Sequence, residues 1–215
     1  MFNFNISSPG LKISNFDHPC DIKYSLIFLL TIASFTPGPN NLLASYSGLN
    51  FGFKRTLPLI HGVALGWGSL LILLCAGLII IFQKYNFLQL NLKIFGSIFL
   101  LYMSYKIAIN SSFDNQKSTN PITFTKMFFF QYINPKGVLM SVVIISSFID
   151  INSNYLYDAI ILILLGILFA YSSIISWCLF GSLIRKFLND KNKIKIFNYC
   201  MSLALVGCVI MIWKV

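Results

Sequence analysis

Residues 62–82 run for 21 positions without a charged side chain. An α-helix rises about 1.5 Å per residue, so such a run crosses the ~30 Å hydrocarbon core of a bilayer. Five other segments have the same character: 24–49, 88–108, 127–149, 159–184 and 196–213. In 88–108 the charges are Lys93 and Lys106, near the ends, where a long stem lets the ammonium reach the interface. The pattern predicts an all-α polytopic membrane protein with six transmembrane helices over 24–215. It is preceded by a polar N-terminal tail, 1–23, that lacks the apolar core of a signal peptide. Charged residues make up only 10% of the chain, against about 25% in soluble domains, too few to cover a soluble surface of this size.

The chain has 14 Lys, 2 Arg, 6 Asp and no Glu, a net charge of +10. In a soluble protein that excess suggests nucleic acid. Here it has a topological explanation, and no nucleic-acid partner is expected. Ten Lys and Arg fall after the first, third and fifth segments: Lys54, Arg55, Lys106, Lys117, Lys126, Arg185, Lys186, Lys191, Lys193 and Lys195. Five lie on the opposite side: Lys12, Lys23, Lys84, Lys93 and Lys214. The excess predicts that both termini face outward from the bacterial cytoplasmic (inner) membrane. The five cysteines form no C-x-x-C pair, and are expected to be small core residues rather than disulfides or zinc ligands.

Two of the six segments are interrupted. The first carries Thr36-Pro37-Gly38-Pro39-Asn40-Asn41, and the fourth Asn134-Pro135-Lys136-Gly137. Pro37 lies twelve residues beyond Ser25, where the first helix enters, and Lys136 nine beyond Met127, depths of about 18 Å and 14 Å from opposite faces. Both breaks therefore fall near the midplane. A shift of about 97 residues superposes one break on the other and segment 62–82 on the fifth segment. Three helices is an odd number, so the halves, about 24–109 and 127–213, are inverted three-helix repeats with helices 1 and 4 broken. Matched Gly/Pro interruptions in inverted halves point to a transport site.

The breaks suit an amino acid. Proline frees backbone groups, and Gly38 lets chains approach closely. A half-helix starting near Pro39 offers N–H groups to a carboxylate, and the carbonyls ending at Phe35 or Thr36 suit an ammonium. Asn40, Asn41 and Asn134 add amides that donate or accept. The plainer alternative is that the prolines only kink the helices for packing. Lys136 at mid-membrane costs roughly 2.5–3.5 kcal/mol and needs a partner. No helix interior holds an acidic residue, which leaves a substrate carboxylate, carbonyls freed at Pro135, or snorkelling to the interface. Lys136 is thus a candidate for substrate binding or proton coupling. His61, near the inner end of the second segment, is a second coupling candidate, or a structural residue. Gly62-x-x-x-Gly66 packs the second helix within the monomer or forms a homodimer contact.

These residues also carry a family likeness. Thr36 to Asn41, followed by Gly52-Phe53-Lys54-Arg55 and Gly62, resembles the first-helix signature of the LysE/RhtB family of amino-acid exporters. Gly96 to Lys106, with Leu100-Leu101-Tyr102, resembles that family's third helix, and Phe130-Gln131-Tyr132-Ile133-Asn134-Pro135-Lys136 its fourth-helix motif. Leu74-Cys75-Ala76-Gly77 and Pro121-Ile122-Thr123-Phe124 are similar to the subgroup that exports cysteine and O-acetylserine. The resemblance implies a secondary transporter, not an enzyme. It would export small amino acids, of the cysteine/O-acetylserine or homoserine/threonine type, by alternating access, driven by the proton or the membrane potential. No cofactor is implied. A metal-cation exporter would want membrane Asp, Glu, His or paired Cys ligands, which are nearly absent. A structural membrane subunit would explain six helices, but neither Lys136 nor the matched breaks.

Overall fold

A computed structural model describes residues 19–109, 120–149, 154–188 and 191–214. Positions 1–18 of the expected tail, Lys117 and Asp150 lie outside the described residues. The described chain is helical. Helix α1 (Pro19–Phe35) and α2 (Pro39–Phe51) form a bent pair. Helix α3 (Phe53–Leu73) passes through a π turn (Leu74–Leu78) into α4 (Ile79–Lys84), and α5 (Asn86–Ile109) ends the first half. A second bent pair, α6 (Phe124–Ile133) and α7 (Pro135–Phe148), opens the second half, followed by α8 (Tyr155–Phe187) and α9 (Lys191–Lys214). The pairs bend by 54° and 60°. Four stretches, Phe53–Leu78, Leu90–Ile109, Tyr155–Arg185 and Asn192–Lys214, are long and apolar enough to cross a membrane, and counting each bent pair as one span gives six. The expected all-α, multi-pass architecture with breaks in helices 1 and 4 is the one observed.

The bends follow from proline. Pro39 and Pro135 each stand at the first turn of the second half-helix, where the missing N–H has no helical partner to lose. The fourth-segment break is narrower than expected. Only Asn134 leaves the helix, and Lys136 and Gly137 belong to α7.

The first connection also differs from expectation. Lys54 and Arg55 do not lie in a loop: α2 and α3 meet at Gly52, whose φ of 79° is a left-handed conformation that glycine adopts without strain. Thr56 Oγ1 donates to the Gly52 carbonyl at 2.8 Å and lies 2.9 Å from Ser47 Oγ, stapling the joint. Pro58 is tolerated one turn further on, inside α3.

Glycine seams hold the bundle together. A Cβ at Gly48 or Gly181 would stand 2.1 Å from the carbonyl oxygens of Cys178 and Ser45, so α2 and α8 touch backbone to backbone. A Cβ at Gly62 or Gly66 would stand 2.6 Å from the carbonyl oxygen of Phe124 or Phe128, and one at Gly96 would stand 2.4 Å from that of Ile133, so α6 is seated closely on α3 and α5. The Gly62/Gly66 pair therefore packs helices within the chain. Arg185 donates to the Asn50 carbonyl at 3.2 Å, and Asn50 and Asn198 exchange amide bonds at 2.8 and 3.1 Å. These contacts gather the ends of α2, α8 and α9, and the basic residues Lys54, Arg55, Arg185, Lys193 and Lys195, at one end of the bundle.

Tyr24, Phe28, Leu156, Leu168, Leu203 and Met211 are exposed on the outside, as lipid-facing side chains are. Of the cysteines, Cys75 and Cys178 are buried as expected, whereas Cys200 is exposed and Cys208 half-buried.

Candidate functional site

The two breaks, about a hundred residues apart in sequence, meet. Lys136 Nζ donates to the Thr36 carbonyl at 2.8 Å. Its stem crosses Gly38, where a Cβ would lie 2.9 Å from Lys136 Cδ and 3.0 Å from Nζ. The partner of Lys136 is thus a carbonyl at the other break, not one freed beside Pro135. Asn40 and Gln131 pair side by side, Asn40 Nδ2 to Gln131 Oε1 at 2.8 Å and Gln131 Nε2 to Asn40 Oδ1 at 3.2 Å. Gln131 also donates to the Met127 carbonyl at 2.9 Å.

Between the breaks lies a cavity of about 60 Å³, bounded by Ser34, Gly38, Pro39, Asn40, Asn41, Asn134, Lys136 and Gly137 on the break side. Trp67, Met140, Ala170, Ser173 and Ile174 supply much of the rest of the wall. Thr36 and Pro37 stay on the exposed side of the first break, while Pro135 is buried behind the second.

Both second half-helices begin at this cavity. Neither N-cap, Gly38 for α2 or Asn134 for α7, bonds the first turn with a side chain. First-turn N–H groups have no partner inside a helix, and the residues that carry them here, Asn40, Asn41, Lys136 and Gly137, line the cavity at the positive ends of two helix dipoles. Lys136 adds a full charge, and no carboxylate borders the cavity. The C-terminal end of α1 is the counterpart. Asn41 Nδ2 donates to the carbonyls of Ser34 at 2.8 Å and Thr36 at 2.9 Å, Ser173 Oγ to Ser34 O at 2.7 Å, and Trp177 Nε1 to Phe35 O at 3.3 Å. The carbonyls expected to receive an ammonium are therefore already covered by donors of the protein.

Residues 31–212, which include both breaks, match the family described as LysE type translocator. The chain belongs to the LysE type translocator family. Cysteine/O-acetylserine efflux proteins of Escherichia coli O1:K1 / APEC, Escherichia coli strain K12 and Shigella flexneri serotype 5b are each 27% identical to it. Each alignment runs over 184 residues, 85% of this chain and 92% of the relative. No solved structure matches.

In this LysE-family translocator the candidates named from sequence do not all gather at one place. Gly38, Pro39, Asn40, Asn41, Asn134 and Lys136 line the cavity. His61 does not. It is the ninth residue of α3, exposed, with Nδ1 2.9 Å from the Tyr171 hydroxyl. The structure adds residues that the sequence did not single out. Gln131 is fully buried and locks Asn40, and its place one turn before Asn134 within the fourth-helix motif was the available signal. Trp67 walls the cavity with its ring while Nε1 donates to Ser141 Oγ at 2.9 Å. Ser173, one serine among several in α8, had no signal in sequence. Among the described residues no three of His, Cys, Asp and Glu come together as metal ligands, so no observation favours the cation-exporter alternative.

Proposed function

We propose that this translocator exports a small neutral amino acid, of the cysteine or O-acetylserine type, from the bacterial cytoplasm by alternating access around the cavity. The observation that carries the reading is the convergence of two uncapped helix N-termini and Lys136 on one space without a carboxylate. That arrangement favours an anionic group, and a substrate carboxylate is the group it fits.

Size and charge narrow the class. The cavity is small, about 60 Å³, which suits an amino acid with a short side chain better than one with a long side chain. A lysine or arginine substrate would bring a second cation for which the wall holds no counter-charge. The names of the efflux proteins it resembles agree with this class. On this reading Thr36, Pro37, Gly38, Pro39, Asn40, Asn41, Asn134, Pro135 and Lys136 form the translocation site. Any side-chain protonation step belongs to Lys136 rather than His61, which stands off the cavity. On this reading the basic end of the bundle faces the cytoplasm, as the positive-inside rule expects, and both termini lie outside.

The test is export from cells loaded with single amino acids from dipeptides. Cysteine, O-acetylserine, homoserine, threonine, lysine and leucine would be followed in the medium. A charge-assisted hydrogen bond is worth about 1.5–3 kcal/mol, so Lys136→Met should cut export of the preferred substrate at least tenfold. Undiminished export by the variant, at equal abundance in the membrane, would refute the reading.

A further inference from the structure

We infer that Trp67 sets the upper size of the substrate side chain and so separates short amino acids from leucine-sized ones. The inference rests on the proposed amino-acid site and deepens it.

The break side of the cavity is polar, and Val63, Trp67, Met140, Ala170 and Ile174 give much of the rest an apolar wall. Trp67 is the one aromatic residue among the described residues that border the cavity. Its indole is fixed at both edges. Nε1 donates to Ser141 Oγ at 2.9 Å and to the Gly137 carbonyl at 3.4 Å, and Ser141 Oγ in turn donates to that carbonyl at 2.7 Å. At the other edge, a Cβ on Gly166 would stand 3.5 Å from Trp67 Cζ3 and 3.8 Å from Cη2. The ring therefore reaches from α7 to α8, and it rests on α8 where that helix presents no side chain.

The ring has little room to retreat. Leu70, Leu71 and Leu74, further along α3, are all buried. The same Cβ on Gly166 would stand 2.7 Å from Leu71 Cδ1, so Leu71 already fills the place beside the ring. Displacing the indole means opening a packed interior and leaving a buried N–H unpaired. Met140 is different, because an unbranched thioether reshapes itself around a ligand. The fixed element of the apolar wall is Trp67.

A carboxylate held at the start of α7 lies beside Gly137, whose carbonyl the indole N–H approaches. The side chain of the bound amino acid then runs along the apolar wall, and the ring is where its length ends. A thiomethyl or hydroxymethyl group fits a space of about 60 Å³, and an isobutyl group meets the indole.

The experiment measures binding of L-cysteine, kept reduced, and L-leucine to the purified full-length protein in lipid nanodiscs. The two ligands share their ammonium and carboxylate and differ in side-chain size. Wild type should prefer cysteine by about tenfold or more. Phenylalanine is shorter than tryptophan and has no N–H, so it cannot keep both seats. Trp67→Phe should strengthen leucine and reduce the preference to about threefold or less. Ser141→Ala removes the anchor and keeps the ring, and should lower the preference by about twofold or more, so a phenylalanine variant that fails to fold does not end the test. A preference that stays at the wild-type value in either variant, equal weakening of both ligands included, would overturn the inference while the transport site stands. Wild-type protein that binds leucine as tightly as cysteine would do the same. Wild-type protein that binds neither ligand would overturn both.

Discussion

Replacing Gly181 by alanine strikes the seam that fixes α2, and with it one of the two helix ends at the cavity. A Cβ at this position would lie 2.1 Å from the Ser45 carbonyl oxygen, 2.8 Å from its carbon and 2.9 Å from its Cα. All three are backbone atoms in mid-helix, so no rotamer change relieves the clash. Ordinary contact begins at 3.4 Å, so α2 and α8 would have to part locally by about 1.3 Å in an interior packed like an organic crystal. The same separation stretches Ser45 Oγ to Trp177 O (3.0 Å), Ser182 Oγ to Gly48 O (3.1 Å) and Arg185 to Asn50 O (3.2 Å). Overpacking costs about 1–3 kcal/mol and each weakened hydrogen bond up to roughly 1 kcal/mol, while alanine's better helix propensity returns at most ~1 kcal/mol. A net loss of about 2–4 kcal/mol corresponds to a fall in melting midpoint of roughly 4–16 °C for a chain of this length. Thermal unfolding in detergent by circular dichroism measures it. Gly207→Ala is the control, because nothing lies within 4 Å of a Cβ there and it should be neutral or slightly stabilising. A Gly181→Ala midpoint within about 1 °C of wild type, with ~1 kcal/mol moving it by 2–4 °C, would refute the packing argument.

Gly38→Ala should behave differently. The three atoms nearest its Cβ all belong to the flexible end of Lys136, the first at 2.9 Å, so stability should stay within about 1 kcal/mol. Export should fall several-fold as Lys136 is pushed off Thr36, and unchanged export would count against that contact. Gly77→Ala has free space but a φ of 115°, so it should cost about 1–2 kcal/mol in the same melting assay, and no loss would contradict the kink. Asn50→Ala and Asn198→Ala should be non-additive by about 1 kcal/mol in a double-mutant cycle, since each partner is buried and they exchange two bonds. Additivity within about 0.3–0.5 kcal/mol would refute their coupling.

Much of the architecture was legible because it is written locally. Hydropathy marks each span, and the Pro-Gly-Pro and Asn-Pro-Lys-Gly clusters in mid-span mark interruptions, so the breaks at Pro37–Pro39 and Pro135 could be placed from sequence. What escaped depends on partners far along the chain. Lys136 could be placed at the second break, but its acceptor is a backbone carbonyl at Thr36, and a carbonyl has no sequence signature. The Gly62/Gly66 pair announced close packing without saying against what. The answer, the α6 carbonyls of Phe124 and Phe128, exists only in three dimensions. Gly52 looks like any loop glycine until its φ shows that one residue makes the whole α2–α3 joint. Gln131 stood inside the motif that carried the family likeness, yet only the Asn40 amide across the break gives it a task.

The two halves bring unlike parts to a common plan. Pro39 and Pro135 both start a half-helix, so Gly38 corresponds to Asn134 and Asn40 to Lys136. At the first position of each pair, one half supplies empty space and the other a buried amide. At the second, one half supplies an amide locked to Gln131 and the other a charge. The small residue is where it is because Lys136 needs the room to cross and reach Thr36. The consequence is electrical. Two positive helix ends and an ammonium share a cavity with no carboxylate, and α1 offsets this only through the carbonyl that Lys136 already holds. On the proposed reading the substrate's carboxylate answers the excess positive charge. Such a site favours a ligand that carries a carboxylate over a simple cation, which would leave that charge unanswered.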